Sequence, residues 1–79
     1  MRLDKFLKVS RLIKRRTIAN QACDADKIEV NGKVARASYG TKVGDVVTIN
    51  MGKSPLTVRV LSLTEKVGKD AAAEMYEVV

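Results

Sequence analysis

The sequence predicts an α+β domain in which two short N-terminal helices pack on a small, mostly antiparallel β-sheet. Apolar residues recur every three or four positions up to residue 24, and they alternate with polar residues from Lys27 onward. The dipeptide Asn31-Gly32 stands between alternating apolar residues, which is the strongest short signal for a β-hairpin. Because the chain has 79 residues, we expect a single domain with a small core.

The first helix is predicted at the start of the chain. Its apolar stripe has the i, i+3, i+4 spacing of a helix with one buried face and consists of Leu3, Phe6 and Leu7. Asp4 suits the first turn, where the helix dipole favours an acid. The apolar residues at positions 9, 12 and 13 are out of register with this stripe, which predicts a bend near Ser10.

A second helix is predicted from about Arg15 or Thr17 to Asp24, with apolar positions again spaced by three and four. Thr17 is one candidate for its N-cap, and Lys14 and Arg15 are the alternatives. Cys23 is interpreted as a small hydrophobic residue on this helix. A catalytic thiolate usually needs a histidine partner, and the chain has no histidine.

The remainder of the chain predicts three to five strands and a short helical tail. A hairpin surrounds Asn31-Gly32, a strand at 46–49 follows a turn at 42–45, and another strand runs from Leu56 to Leu63. The tail is expected to form one or two helical turns, with Met75 and Tyr76 docked on the domain. We therefore divide the chain into a domain at 1–63 and a C-terminal appendage at 64–79 that packs on or extends it.

The positive charge is concentrated at one end of the chain. Residues 1–16 contain seven Lys and Arg against one acid, a net charge of +6, whereas residues 17–79 contain eight basic and eight acidic side chains. A charge needed only for solubility would be spread along the sequence. Its concentration in one segment predicts an anion-binding surface.

Several classes of protein are disfavoured by composition. The absence of histidine removes the commonest general base and metal ligand, and neither a carboxylate pair nor a P-loop is present. We therefore expect no enzymatic activity, no cofactor and no metal. With one cysteine and no apolar run long enough for a membrane span, the chain is expected to be cytoplasmic. A membrane-surface protein and a small nucleotide-hydrolysing enzyme are the weaker alternatives.

Four short motifs occur in order at suitable distances: Arg2-Leu3-Asp4, Arg16 to Ala19, Val30-Asn31-Gly32 and Gly44-Asp45. Together they resemble the αL RNA-binding domain named after ribosomal small-subunit protein four, in its stand-alone form, over roughly residues 1–50. This family implies the α+β fold described above. One departure is Asp26, which stands where the family usually has a glycine at the end of the second helix.

Two groups of stand-alone members have a suitable size. One is the heat-shock protein fifteen group, which is longer and has a basic C-terminal tail. The other is the RqcP family, whose N-terminal and C-terminal segments are similar to residues 1–17 and 71–78. The second resemblance implies a factor of bacterial ribosome-associated quality control.

Such a factor would bind large-subunit rRNA and peptidyl-tRNA on obstructed large ribosomal subunits, and it would support alanine tailing of stalled chains with RqcH. We expect a monomer off the ribosome. The alternative is a general rRNA-binding rescue or assembly factor of the heat-shock protein fifteen type.

The predicted RNA-binding residues are mostly the cations of the N-terminal segment: Arg2, Lys5, Lys8, Arg11, Lys14, Arg15, Arg16 and Lys33. The arginines are the first candidates because a guanidinium group offers paired donors to phosphate oxygens. The alternative is that these cations form a solvated helix face with no ligand. That alternative does not explain why the remainder of the chain has no net charge. We expect Arg16 to face solvent, so that its loss leaves thermal stability nearly unchanged.

Tyr39 is the one candidate for base stacking. With a single such residue, recognition of RNA is expected to depend on its backbone and shape and not on its base sequence.

Overall fold

The computed structural model describes residues 1–64 and 68–79. The helical elements in this part of the chain are α1 (Leu3–Val9), α2 (Arg16–Asp24), α3 (Lys69–Ala72) and a 3₁₀ turn (Ala73–Met75). The strands are β1 (Ile28–Val30), β2 (Lys33–Val34), β3 (Val46–Ile49), β4 (Leu56–Val60) and β5 (Tyr76–Val78). They form one sheet in the order β2-β1-β3-β4-β5, with antiparallel pairing between all neighbours. The predicted α+β fold is confirmed.

The predicted bend between the two N-terminal helices is confirmed. Ser10 is the C-cap of α1, and Arg11 has a left-handed backbone with φ of 63°. Arg15, in extended conformation, is the N-cap of α2 and makes no side-chain capping hydrogen bond. Of the three N-cap candidates, Arg15 is therefore confirmed, and Thr17 is wrong because it lies inside the first turn.

Asp26 adopts the left-handed conformation that the family's glycine would adopt. Its φ is 60°, its backbone N–H donates to the carbonyl of Cys23 (3.1 Å), and the N–H of Lys27 donates to that of Ala22 (3.0 Å). Aspartate tolerates this conformation better than most residues because its short side chain can bond locally. The departure from glycine therefore leaves the end of α2 and the entry into β1 in place.

The tight turns of the sheet occur where the sequence predicts them. Asn31 and Gly32 have φ of 53° and 84°, as a type I′ turn requires, and they connect β1 to β2. Gly44, with φ of 95°, precedes β3. These turns fix the register in which β1 pairs with β2 and with β3.

The C-terminal region differs from the prediction in two respects. β4 ends at Val60 rather than Leu63, because the N–H groups of Leu61 and Ser62 both donate to the carbonyl of Met75 (2.8 and 3.2 Å). The final residues form β5, paired with β4, after the expected helical turns. Within the predicted appendage, residues 65–67 lie outside the described residues, and the boundary at residue 63 stays a prediction.

The core lies between the helices and one face of the sheet. Its fully buried side chains include Leu3, Phe6, Leu7, Ile28, Val47, Val58 and Val60. Cys23 is buried on α2 as predicted, and burial raises the pKa of its thiol to about 11. Ile18, by contrast, is 40 % exposed, although it continues the apolar spacing of α2. None of the helices in the described residues has the length and hydrophobicity needed to span a bilayer.

Phe6→Ala tests the role of α1 in the core. Phe6 is completely buried, so we expect the free energy of unfolding to fall by about 3 kcal/mol, measured by chemical denaturation. The control Val43→Ala changes a side chain that is 62 % exposed and should cost less than about 0.5 kcal/mol. Similar losses for the two variants would contradict this assignment of the core.

Candidate nucleic-acid interface

A buried carboxylate lies at the centre of the basic N-terminal segment. The side chain of Asp4 is 3 % exposed, and its Oδ1 lies 3.2 Å from Nε of Arg2. Nε of Arg16 lies 3.3 Å from Oδ2, and the side-chain amide of Asn20 donates to the same oxygen (3.4 Å). The backbone N–H of Lys5 also donates to Oδ1 (2.8 Å). Asp4 therefore joins the start of α1 to the first turns of α2.

Asp4 remains ionised at neutral pH. Burial alone would raise the pKa of its carboxyl group. The hydrogen bonds from Arg2, Asn20 and Arg16 and the charge of Arg16 together lower this pKa by more than burial raises it, so the net pKa is below its usual value. The side chains of Arg2 and Arg16 are still 51 % and 47 % exposed. One buried anion thus holds two guanidinium groups whose outer parts are open to a ligand.

This arrangement corrects the expectation that Arg16 only faces solvent. Removing its side chain would take an ion-pair partner from a buried carboxylate, which costs stability. The contribution of Asp4 was missed because an acid in the first turn has an ordinary explanation in the helix dipole. Its isolation among seven cations is the signal that could have found it.

The other predicted cations of the segment occupy several positions along it. Lys8 is exposed at the end of α1, and Arg11 is exposed at the bend. Lys14 and Arg15 are exposed before α2 and border a shallow cleft with Ile13 and Ile18. Lys5 lies half-buried on α1. The structure thus brings Arg2 and Arg16 together, and places Lys14 and Arg15 side by side where α2 begins.

Lys33 lies apart from these cations, on β2 of the hairpin. It is exposed and borders a groove with Arg36, Ser38 and Tyr39. The two regions are joined by the segment 37–39, whose carbonyls at Ala37 and Tyr39 accept hydrogen bonds from the first residues of α1. The groove therefore adjoins the end of α1 at which Arg2 is held.

A second buried carboxylate organises the hairpin side. Asp45 is 8 % exposed and accepts hydrogen bonds from the amide of Asn31 (3.1 Å), the hydroxyl of Tyr39 (2.9 Å) and the backbone N–H of Lys42 (2.9 Å). Burial raises the pKa of Asp45, but these bonds lower it below its usual value. The bond to Asp45 raises the pKa of Tyr39, which keeps the phenol protonated as the donor. The sequence identified Asp45 as a turn residue and as part of the Gly44-Asp45 motif, but not as the acceptor of these hydrogen bonds.

Asp4→Asn tests whether this carboxylate stabilises the fold as an anion. An acid whose pKa is lowered by folding, from about 3.9, stabilises the protein above that pH and loses the contribution as pH falls through the lower value. The unfolding free energy of the parent should therefore fall between about pH 5 and pH 2, and fall less in Asp4→Asn. Some decline should remain because Asp45 has a shift of the same sign.

The exposed Asp24 provides the control for this measurement. Asp24→Asn changes an exposed side chain, so in urea denaturation at neutral pH it should alter the unfolding free energy by less than about 0.5 kcal/mol. If the unfolding free energies of Asp4→Asn and of the parent fall in parallel as the pH is lowered, the buried ion pairs contribute nothing to acid sensitivity.

The chain is similar to several known proteins. The family model of the S4 domain matches residues 1–47. A protein of Halalkalibacterium halodurans named RQC P-site tRNA stabilizing factor is 51% identical over 78 residues, covering 99% of this chain and 89% of that protein. The protein of the same name in Bacillus subtilis is 49% identical over 79 residues, covering 100% of this chain and 92% of that protein.

The fold is also similar to solved structures. The trimeric structure of Heat Shock Protein 15 from Vibrio cholerae superimposes with a TM-score of 0.93 at 26% identity, covering 100% of this chain and 81% of that chain. The solution structure of a hypothetical protein gives a TM-score of 0.85 at 28% identity and covers 100% of this chain and 96% of that chain. The S4 model and the whole-chain identities confirm the resemblance found in the sequence. The chain belongs to the S4-domain family.

Proposed function

We propose that this protein is an RNA-binding factor of bacterial ribosome-associated quality control. In this role it binds large ribosomal subunits that carry peptidyl-tRNA, contacts large-subunit rRNA and the tRNA, and supports alanine tailing of stalled chains by RqcH. The observation that carries the proposal is the concentration of mostly exposed cations in residues 2–16, on a chain whose other residues have no net charge.

The physical basis is the interaction of fixed cations with phosphate. Each phosphate contact releases condensed counterions from the RNA, so a row of cations gains affinity without reading the base sequence. Arg2 and Arg16 are oriented by Asp4 before any ligand arrives. Such preorganisation reduces the side-chain entropy that binding would otherwise cost. These cations are therefore suited to the backbone of a folded RNA.

The relatives support the ribosomal role. Proteins named RQC P-site tRNA stabilizing factor are about half identical to this chain over nearly its whole length. In our proposal the protein holds peptidyl-tRNA and rRNA in position in the cytoplasm, as a monomer before it binds, and contributes no catalytic group. RqcH supplies the alanine tail.

A general rRNA-binding rescue or assembly factor is the second candidate. It is favoured by the structural similarity to Heat Shock Protein 15 over the whole of this chain. Affinity purification of the tagged protein from cells separates the two candidates. The quality-control role predicts enrichment of large subunits that carry peptidyl-tRNA, whereas equal recovery of these and of free rRNA would favour the general factor.

The proposed function predicts that binding to large subunits depends on salt concentration. If the cations of residues 2–16 make four to six phosphate contacts, a plot of log K against log salt for subunit binding should have a slope of about −3 to −5. The measurement is co-sedimentation of the protein with purified obstructed subunits across a series of salt concentrations. A flat response would contradict the electrostatic model.

The proposed function also predicts that reversing the charge of exposed arginines abolishes activity. Arg11→Glu combined with Arg15→Glu should abolish both subunit association and alanine tailing, because two attractions to phosphate become repulsions. Neither exposed side chain is part of the Asp4 cluster, so the melting temperature should be nearly unchanged. Arg16 is left out because a glutamate there would face the buried Asp4.

The matched control is Lys27→Glu combined with Lys53→Glu, which reverses two exposed charges outside the N-terminal segment. It should retain both activities. If the arginine variant still co-sediments with large subunits but does not support tailing, these arginines are not anchors and the proposed mechanism is wrong.

A further inference from the structure

A groove of about 690 Å³ lies along the hairpin, and none of the cations of residues 2–16 lines it. Its border includes Lys33, Val34, Ala35, Arg36, Ser38 and Tyr39. Val34 is 54 % exposed, so an apolar side chain of β2 faces solvent beside the groove. The groove therefore combines an apolar wall with an aromatic ring and two cations.

Tyr39 is held firmly within this groove. Its hydroxyl donates to Asp45 (2.9 Å), its backbone N–H donates to the carbonyl of Arg36 (3.0 Å), and its own carbonyl accepts from the N–H of Leu3 (2.9 Å). The residue is half-buried against the core, and the rest of it borders the groove. Because its position is already fixed, little conformational entropy is lost when a flat ligand stacks on the ring.

The two cations favour an anionic ligand in the same groove. Lys33 and Arg36 are both exposed on its border. Arg36 also borders a smaller cleft, together with Asp24 and Asp26. Those carboxylates repel a phosphate from the smaller cleft. The charge distribution therefore favours a phosphate in the groove that Arg36 shares with Lys33.

Few groups in the groove can distinguish one base from another. The amide of Asn31 is used by Asp45 and by the backbone N–H of Val46, and the carboxylate of Asp45 accepts from three donors. Ser38 is the remaining neutral polar side chain on the border. An aromatic platform with nearby cations and few base-reading groups is typical of sequence-tolerant binding of single strands.

We infer that this groove binds one unpaired nucleotide of RNA, with its base stacked on Tyr39 and its phosphate held by Lys33 and Arg36. The inference rests on the proposed RNA-binding function and adds to it a class of ligand. A base inside a duplex is stacked on its neighbours and cannot present its face to the tyrosine, whereas a base in a loop, bulge or end can.

Tyr39→Leu in the full chain tests the inference with two probes, a short unstructured RNA oligonucleotide and a blunt-ended RNA duplex. Loss of base stacking should weaken binding of the single strand by roughly fivefold to a hundredfold, and binding of the duplex by less than about twofold. Tyr39→Phe keeps the ring and should lose less than the leucine variant. The control Tyr76→Leu removes the other tyrosine, which is half-buried on β5, and should leave the ratio of the two affinities unchanged.

Chemical shifts of the Tyr39 ring protons provide a second measurement that does not depend on the folding of a variant. Stacking predicts upfield shifts on addition of the single strand but not of the duplex. Absence of these shifts, or equal weakening of both probes by Tyr39→Leu, would overturn the inference.

The failure of the proposed function has a different signature. If the parent protein binds neither probe nor the obstructed subunits, RNA binding itself is wrong. Suppose that Arg11→Glu with Arg15→Glu weakens binding of both probes while Tyr39→Leu weakens binding of neither. The proposed RNA-binding function is then supported, and the inferred nucleotide site is wrong.

Discussion

The ion pairs of Asp4 with Arg2 and Arg16 connect the two N-terminal helices on the basic side of the domain. A carboxylate that is almost fully buried requires charged or hydrogen-bonding partners, because an unpaired charge in a protein interior is very costly. The two arginines meet this requirement while keeping half of each side chain exposed. The same contacts therefore stabilise the helix pair and fix the orientation of its guanidinium groups.

Asp45 has a similar structural role on the hairpin side. Its carboxylate joins the type I′ turn, the segment around Tyr39 and the backbone of Lys42, and Asp45 itself directly precedes β3. Each carboxylate thus holds in place candidate ligand-binding groups that belong to different elements. In a domain of 79 residues, whose core is small, such polar clusters supply rigidity that apolar packing alone provides only in part.

The two regions are continuous through the backbone. Hydrogen bonds from Leu3 and Asp4 to the carbonyls of residues 39 and 37 connect the start of α1 to the segment that carries Tyr39. Cations on the helices and the groove on the hairpin therefore adjoin one another. This arrangement is suited to an RNA that presents a folded backbone to the helices and an unpaired nucleotide to the groove.

The sequence alone determined the features that depend on local periodicity and turn chemistry. The bend near Ser10, the Asn31-Gly32 turn and the buried stripe of α1 follow from residues close together in the chain. The concentration of charge in residues 1–16 is equally a property of the sequence. The tertiary structure decided the features that depend on partners distant in sequence. Asp4 meets Arg16 and Asn20, Asp45 meets Asn31, and the final residues pair with β4 instead of ending as a helical tail. No local pattern encodes these partners, because each contact forms only after the chain between them has folded.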